Sequence, residues 1–271
     1  MDNPVPLNPA YSLTNDHGNI SFTAHKQWLG ISGAPTLFIF NTDFPSLFDN
    51  TKAGIIASEN TLGVEQLSQA SGFFAKSIHI NEVGSLGVAI SGGFKYYTTA
   101  YAPLDPHDPA IQNDIQQFTP VVGLSAVYYG DDFYAGFSIP DVAFHSSSTL
   151  LDNNNFRNHY YLTGGLTSEL NEDFSLKPAF LAYVSRGIPV SVDGSLKLAI
   201  KKTIAVGFNY TSSKELAALF SLDEDSFHFG YSYQFGVSNT SVSQFTNATQ
   251  EITLTFFFGK GNQTPINPGG K

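Results

Sequence analysis

Three observations predict a transmembrane antiparallel β-barrel of about fourteen strands. Hydrophobic residues recur with period two almost from end to end. Charged residues are too few for a soluble domain. Connections alternate between tight turns and longer loops. The first makes the chain all-β, the second gives each strand an oily face for lipid, and the third orders the strands around a barrel.

Of the 271 residues, 14% are aromatic and 13% charged, against roughly 25% charged in ordinary soluble domains. The 13 basic and 23 acidic residues give a net charge of -10. With no Lys/Arg-rich run there is no electrostatic footprint for nucleic acid. Zero Cys beside seven His removes disulfides, zinc-thiolate sites, iron-sulfur clusters and thiol catalysis. No stretch reaches the roughly 20 consecutive apolar residues of a membrane helix; the most apolar passages are short, such as Val121 to Tyr129. The start, Met1 to Pro9, lacks a basic region followed by an apolar stretch, so it reads as a mature sequence.

Strands are expected near 19-30, 35-44, 51-60, 66-80, 84-100, 118-130, 132-140, 156-170, 174-185, 190-200, 203-212, 215-222, 226-237 and 248-258. In the second, Phe38 and Phe40 compete with Leu37 and Ile39 for the oily face. The third is also weakly patterned. The fifth is clear: Leu86, Val88, Ile90, Phe94 and Tyr96 stand opposite Gly87, Ala89, Ser91, Gly93 and Lys95. The tenth alternates Val190, Val192, Leu196, Leu198 and Ile200 with Ser191, Asp193, Ser195, Lys197 and Ala199. The eleventh repeats this with Ile204, Val206, Phe208 and Tyr210, whereas Leu216 to Leu222 in the twelfth fits a strand or a short helix. In the thirteenth, Phe227, Phe229, Tyr231, Tyr233 and Phe235 alternate with His228, Gly230, Ser232, Gln234 and Gly236, and the fourteenth sets Ile252, Leu254, Phe256 and Phe258 against Glu251, Thr253 and Thr255. Most of these runs reach the roughly 9–11 residues of a tilted membrane strand.

The long connections 101-117, 141-155 and 238-247 are odd-numbered, and the tight turns around Asn81, Asp131, Asn171, Lys201 and Asp223 are even-numbered. Outer-membrane barrels pair short periplasmic turns with longer outer loops, which puts both termini in the periplasm. A soluble sandwich, enzyme or lipocalin-like barrel fits less well, because the polar faces carry Gly, Ser, Thr, Asn and Gln in place of Lys and Glu. Trp28, Tyr96, Tyr97, Tyr128, Tyr129, Tyr160, Tyr161 and Tyr210 near strand ends are read as interface girdles.

The chain divides into an N-terminal segment (1-18), a barrel (19-258) and a C-terminal tail (259-271). Pro4, Pro6 and Pro9 keep the first segment out of a sheet interior. It is either a frayed tail or a plug of the periplasmic mouth, and Leu7, Ala10, Tyr11 and Leu13 favour the plug. Lys95, Lys177, Asp193, Lys197, His228 and Glu251 fall on the polar parity and are expected in the lumen, pairing with one another or lining a channel. The candidate partner-binding residues lie in the outer loops: Asp105, His107 and Asp108 in the first, His145, Asp152 and Asn153 in the second, Asn239 in the third. A Ca²⁺ site at Asp105, His107 and Asp108 is outweighed by a solvated turn. No catalytic, cofactor or metal residues are expected: the Gly-x-Ser-x-Gly elbow, phosphate loop and dinucleotide fingerprint are all missing.

One set of motifs is more specific than any periodicity. Asn8-Pro9-Ala10-Tyr11, then His25-Lys26-Gln27-Trp28-Leu29-Gly30 and Gly33-Ala34-Pro35-Thr36, are followed by Gly123 to Tyr129, Phe133 to Pro140, Asn158 to Leu162, Leu176-Lys177-Pro178 and Gln250 to Leu254. In order and spacing these resemble the PorP/SprF family of Bacteroidetes outer-membrane proteins, with two departures, Lys26 in place of a small residue and the tail beyond Phe258. The resemblance implies a non-enzymatic accessory barrel of the type IX secretion system, a machine also tied to gliding motility. Its implied partners are outer-membrane lipid, other components of that system, and a specific secreted cargo, exported or anchored at the surface through the cargo's C-terminal sorting domain. The rival reading is a passive or substrate-selective transport channel.

Overall fold

The computed structural model describes residues 2–45, 50–100, 114–143, 157–236 and 248–259. Fourteen antiparallel strands follow one another in sequence. They are β1 (Gly18–Lys26), β2 (Thr36–Asp43), β3 (Thr51–Leu62), β4 (Glu65–Asn81), β5 (Gly84–Thr99), β6 (Ile115–Tyr129), β7 (Phe133–Ala143) and β8 (His159–Leu166, resumed at Ser168–Glu169). The rest are β9 (Phe174–Ser185), β10 (Ile188–Ile200), β11 (Ile204–Thr211), β12 (Glu215–Glu224), β13 (Phe227–Gly236) and β14 (Thr249–Phe258). Each strand pairs with its neighbours in sequence, and β1 pairs with β14 from Gly18↔Phe258 to Lys26↔Gln250, so the sheet closes on itself. Closure satisfies the edge N–H and C=O groups, which a bilayer would otherwise leave without partners.

The expected strands appear in the expected order, including Glu215–Glu224, whose helical alternative does not form. Turns such as Glu82-Val83 and Lys201-Lys202 gather at the end that also holds Gly18 and Phe258. Lys201 and Lys202 both have positive φ, 50° and 60°, as a type I′ hairpin turn requires. That turn matches the right-handed twist of the strands it joins.

Period two sorts the side chains. Outward residues include Phe22 and Phe38 at 44% exposure, Ile90 at 58%, Phe208 at 50% and Phe256 at 56%. Inward positions are buried and mostly small or polar, as with Ser21, Thr23, Asn41, Ser91, Thr119, Ser138, Ser221 and Thr253. In β2 the competition resolves in favour of Phe38 and Phe40 outside, because Leu37 and Ile39 share the parity of buried Asn41 and Asp43. The tyrosine pairs divide for the same reason. Tyr96 and Tyr160 face out at 38% exposure, while Tyr97 and Tyr129 are buried, at 2% and 5%. The girdle reading therefore fails for Tyr97 and Tyr129. Trp28 is exposed just past the end of β1, in the turn that follows Lys26, with φ 48°.

One irregularity sets a functional side chain. Val122↔Val142 and Leu124↔Ile139 are paired, so Gly123 faces both Pro140 and Asp141. This β-bulge turns Asp141 inward, whereas strict alternation from Phe137 and Ile139 would aim it at lipid. Gly123 is needed there, since an added Cβ would lie 2.1 Å from the Pro140 carbonyl oxygen. Pro140 is tolerated because it has no ladder N–H to lose at a bulge.

Candidate functional site: the lumen and the N-terminal segment

Residues 2–16 are not a frayed tail. Pro9–Thr14 forms a short 3-10 helix, and the segment lies inside the barrel near the short-turn end. Ala10 and Leu13 are buried in one cluster with Ile56, Phe73, Ala75, Ala89, Val127 and Tyr129 from the wall. Tyr11 meets Tyr134 edge to face, with ring centroids 5.1 Å apart. Burial raises the Tyr11 hydroxyl above its ordinary value, and the neighbouring Tyr134 adds to this. Small wall residues make room: a Cβ on Gly87 would lie 2.8 Å from Leu13 Cδ1, and one on Gly136 2.7 Å from Asn8 Nδ2.

Polar groups fix the register. Asn8 Nδ2 donates to the Ala126 carbonyl at 3.0 Å, the Ala10 N–H to Ser125 Oγ at 3.1 Å, and Ser138 Oγ to the Leu7 carbonyl at 2.6 Å. Asn3 Nδ2 donates to Asn41 Oδ1 at 2.7 Å. The segment thus spans the lumen, from β6 and β7 on one side to β1 and β2 on the other. Asn8, Pro9, Ala10 and Tyr11, singled out as a motif, are the residues that seat it. Gln27, from the second motif, reaches His25 at 3.4 Å.

The charged lumen residues are held, though not by one another. Lys95 pairs with Asp141, Lys197 with Asp2, His228 with Asp223 at 2.6 Å, and Glu251 with His25 at 3.1 Å. The expected mutual pairing is corrected for these four: Lys177 and Lys197, which do face each other across neighbouring strands, carry like charge, and the partners come instead from the next strand (Asp223, His25), the next but one (Asp141) or the N-terminal segment (Asp2). Lys177 lines a cavity of about 260 Å³ beside the N-terminal segment, together with Asp2, Lys197, Asp223 and His228. Asp193 is half-buried on the same parity as Lys197.

Three groups escaped the sequence reading. Asp43 and Lys52 form a buried ion pair at 2.9 Å; their matching inward parity at adjoining strand ends was the available signal. Lys52 also donates to the His17 carbonyl and to Asn15 Oδ1 at 3.4 Å, tying the wall to the N-terminal segment. Asp141 was hidden by the bulge, for which Pro140 inside a strand was the clue. Asp2 had no pattern to betray it. Burial disfavours its charge, but the positive charges of the amino terminus, Lys197 and His228 prevail and hold its carboxyl well below the usual carboxylate range.

Among the described residues no group of His, Cys, Asp or Glu could hold a metal ion. Asp105, His107, Asp108, His145, Asp152, Asn153 and Asn239 lie outside the described residues.

Solved structures give the same fold. The Pseudomonas putida toluene transporter TodX superposes with a TM-score of 0.55 at 10% identity, covering 97% of this chain and 95% of that one. The CymD monoaromatic hydrocarbon channel gives 0.54 at 10% identity, over 97% and 94%. At such identity the likeness extends to the fold alone. No curated protein matches this sequence. The family described as type IX secretion system membrane protein PorP/SprF matches residues 1–256, nearly the whole barrel and its N-terminal segment, and the chain belongs to that family.

Proposed function

We propose that this outer-membrane barrel serves as the partner of one secreted cargo of the type IX system, assisting its export or holding it at the cell surface through the cargo's C-terminal domain. Membership of the family supplies the system. The observation that carries the partner role is the seated N-terminal segment, which crosses the lumen and is bonded to opposite walls. A barrel obstructed in this way is better suited to docking at its rim than to free diffusion through its centre. Gly18 and Phe258, the two ends of the barrel, lie at the short-turn end, and in this reading that end is periplasmic and the long connections after β5, β7 and β13 face the cargo.

The reading is tested by purifying the barrel from its native envelope in mild detergent and identifying what accompanies it. A secreted protein carrying a C-terminal sorting domain is the expected companion. Isolation of the barrel alone, with large single-channel conductance, would instead support a transport channel. The cavity of about 260 Å³ within the lumen is the feature that favours that second reading.

A further inference from the structure

We propose that Lys197 and His228 form an exchangeable carboxylate-binding site, filled from within the chain by Asp2, for which an external carboxylate entering from the short-turn end competes. The site is built from two strands. Lys197 on β10 forms an ion pair with Asp2. His228 on β13 is oriented by its Nδ1, bonded to Asp223 at 2.6 Å. Its other nitrogen, Nε2, lies 3.9 Å from the Asp2 carboxylate, is buried, and has no hydrogen-bond partner among the described residues. A buried imidazole nitrogen without a partner is costly unless a ligand or water completes it. The Lys197 ammonium and His228 Nε2 both face Oδ1 of the Asp2 carboxylate, and an ammonium is a strong partner for a carboxylate oxygen.

Asp2 is suited to leave. The apolar seat of the N-terminal segment begins at Val5 and centres on Ala10 and Leu13. Ahead of it, residues 2 and 3 are held by side-chain polar contacts, those of Asp2 and the bonds of Asn3 to Asn41 and Thr23. Gly230 opposite leaves the space that the Asp2 carboxylate fills, since a Cβ there would lie 2.7 Å from Asp2 Oδ2. The cavity of about 260 Å³ adjoins this site and is lined by a further cation, Lys177. It gives an incoming group somewhere to sit before exchange. Exchanging one carboxylate for another conserves every charge contact, so occupancy follows relative concentration. The nearby Asp223 carboxylate opposes a dianion, which favours a carboxylate over phosphate.

The experiment uses the full chain in detergent micelles and isothermal titration calorimetry, with heat-modifiable gel migration to verify folding of each variant. The probes are N-acetylaspartic acid amide, inorganic phosphate and an end-capped acidic hexapeptide. Asp2→Asn removes the internal competitor and should bind N-acetylaspartic acid amide roughly tenfold tighter than the parent, as expected when a tethered rival is lost. Adding Lys197→Met should abolish that gain. Asp2→Ser provides the same readout where Asp2→Asn fails to assemble. Tighter binding of the hexapeptide would assign the site to an acidic polypeptide, and equal binding to a free small carboxylate. The proposal is overturned if the Asp2 variants bind no better than the parent, if Lys197→Met leaves binding unchanged, or if phosphate binds as well as the carboxylate.

Discussion

Lys52→Met is the perturbation with the sharpest predicted signature. In the parent, the Lys52 ammonium meets three acceptors: the Asp43 carboxylate, the His17 carbonyl and the Asn15 side chain. Methionine fills the space and supplies none of these bonds, leaving the fully buried Asp43 with only the Asn19 amide. Removing one partner of a buried ion pair costs about 3–5 kcal/mol. The variant has an escape, which is to bind a proton at Asp43. Starting from an ordinary aspartate value of about 3.9, protonation costs about 4 kcal/mol at pH 7 and about 1.5 kcal/mol at pH 5. The folded variant then holds a proton that its unfolded chain has lost, so its stability falls as pH rises, by about 1.4 kcal/mol per unit above pH 4. Urea unfolding in micelles, followed by far-ultraviolet circular dichroism at pH 5 and 7, should show the Lys52→Met penalty growing from about 1.5 to about 4 kcal/mol. Adding Asp43→Asn should remove most of the penalty and its pH dependence. A penalty below about 1 kcal/mol at pH 7, in the range of an exposed pair, or one equal at both pH values, would refute the reasoning.

Deleting residues 2–16 should raise single-channel conductance in a planar bilayer while leaving heat-modifiable migration intact. Gly87→Leu should do the same, because overpacking against Leu13 costs about 1–3 kcal/mol and the wall has no slack to yield; unchanged conductance in both would count against obstruction by the segment. Acidification should loosen the start of that segment: the Asp2 carboxyl is depressed from its usual 3.8, so its contribution is complete above about pH 5 and declines as pH falls below 4, which a label at Asn3→Cys would report as rising accessibility. Deleting Pro140 should leave heat-modifiable migration intact, since taking out the extra residue restores strict alternation from Ile139 and keeps Asp141 inward opposite Gly123, whereas Asp141→Leu leaves Lys95 without that carboxylate and should impair assembly. Replacing 101-113, the connection between β5 and β6, with a short turn should preserve assembly and weaken cargo retention, and normal retention would exclude that connection as the contact surface.

The strands were legible because a barrel in lipid exposes its pattern directly: nothing but period two decides which side chain meets lipid. The parity that put Phe227, Phe229 and Tyr231 outside is the same parity that buried His228. Legibility ended wherever alternation broke. Asp141 was read as the start of a connection because the strand was ended at Pro140, whereas the strand continues to Ala143 through the bulge and the extra residue reverses the side chains after it. The tyrosine doublets were read as girdles by residue type, though adjacent residues in a strand cannot share a face. Ion-pair partners were out of reach for another reason. Parity gives the face, and the stagger between strands, which sequence spacing does not supply, gives the neighbour. His25 meets Glu251 only because Gly18 registers with Phe258.

The N-terminal segment was identified by its prolines and apolar residues, yet its position is encoded in the wall. Where the 3-10 helix lies, the inward residues include Ala75, Gly87, Ala89 and Gly136 among larger ones such as Ile56, Phe73 and Tyr129, and a Cβ at either glycine would collide with Leu13 or Asn8. Toward the other end of the barrel the inward positions include larger side chains, among them Leu37, Leu67, Tyr97 and Tyr183. Small residues in a lumen otherwise leave a void, and voids forfeit packing contacts and stability. A wall that thins opposite one face of a short helix has therefore been shaped for that helix to stay. The hold on Asp2, across the lumen from the apolar seat, is ionic, with Gly230 leaving room for the carboxylate. Local release at residues 2 and 3 can then occur while Ala10 and Leu13 remain docked, and that difference in attachment makes the carboxylate exchange physically separable from unplugging the barrel.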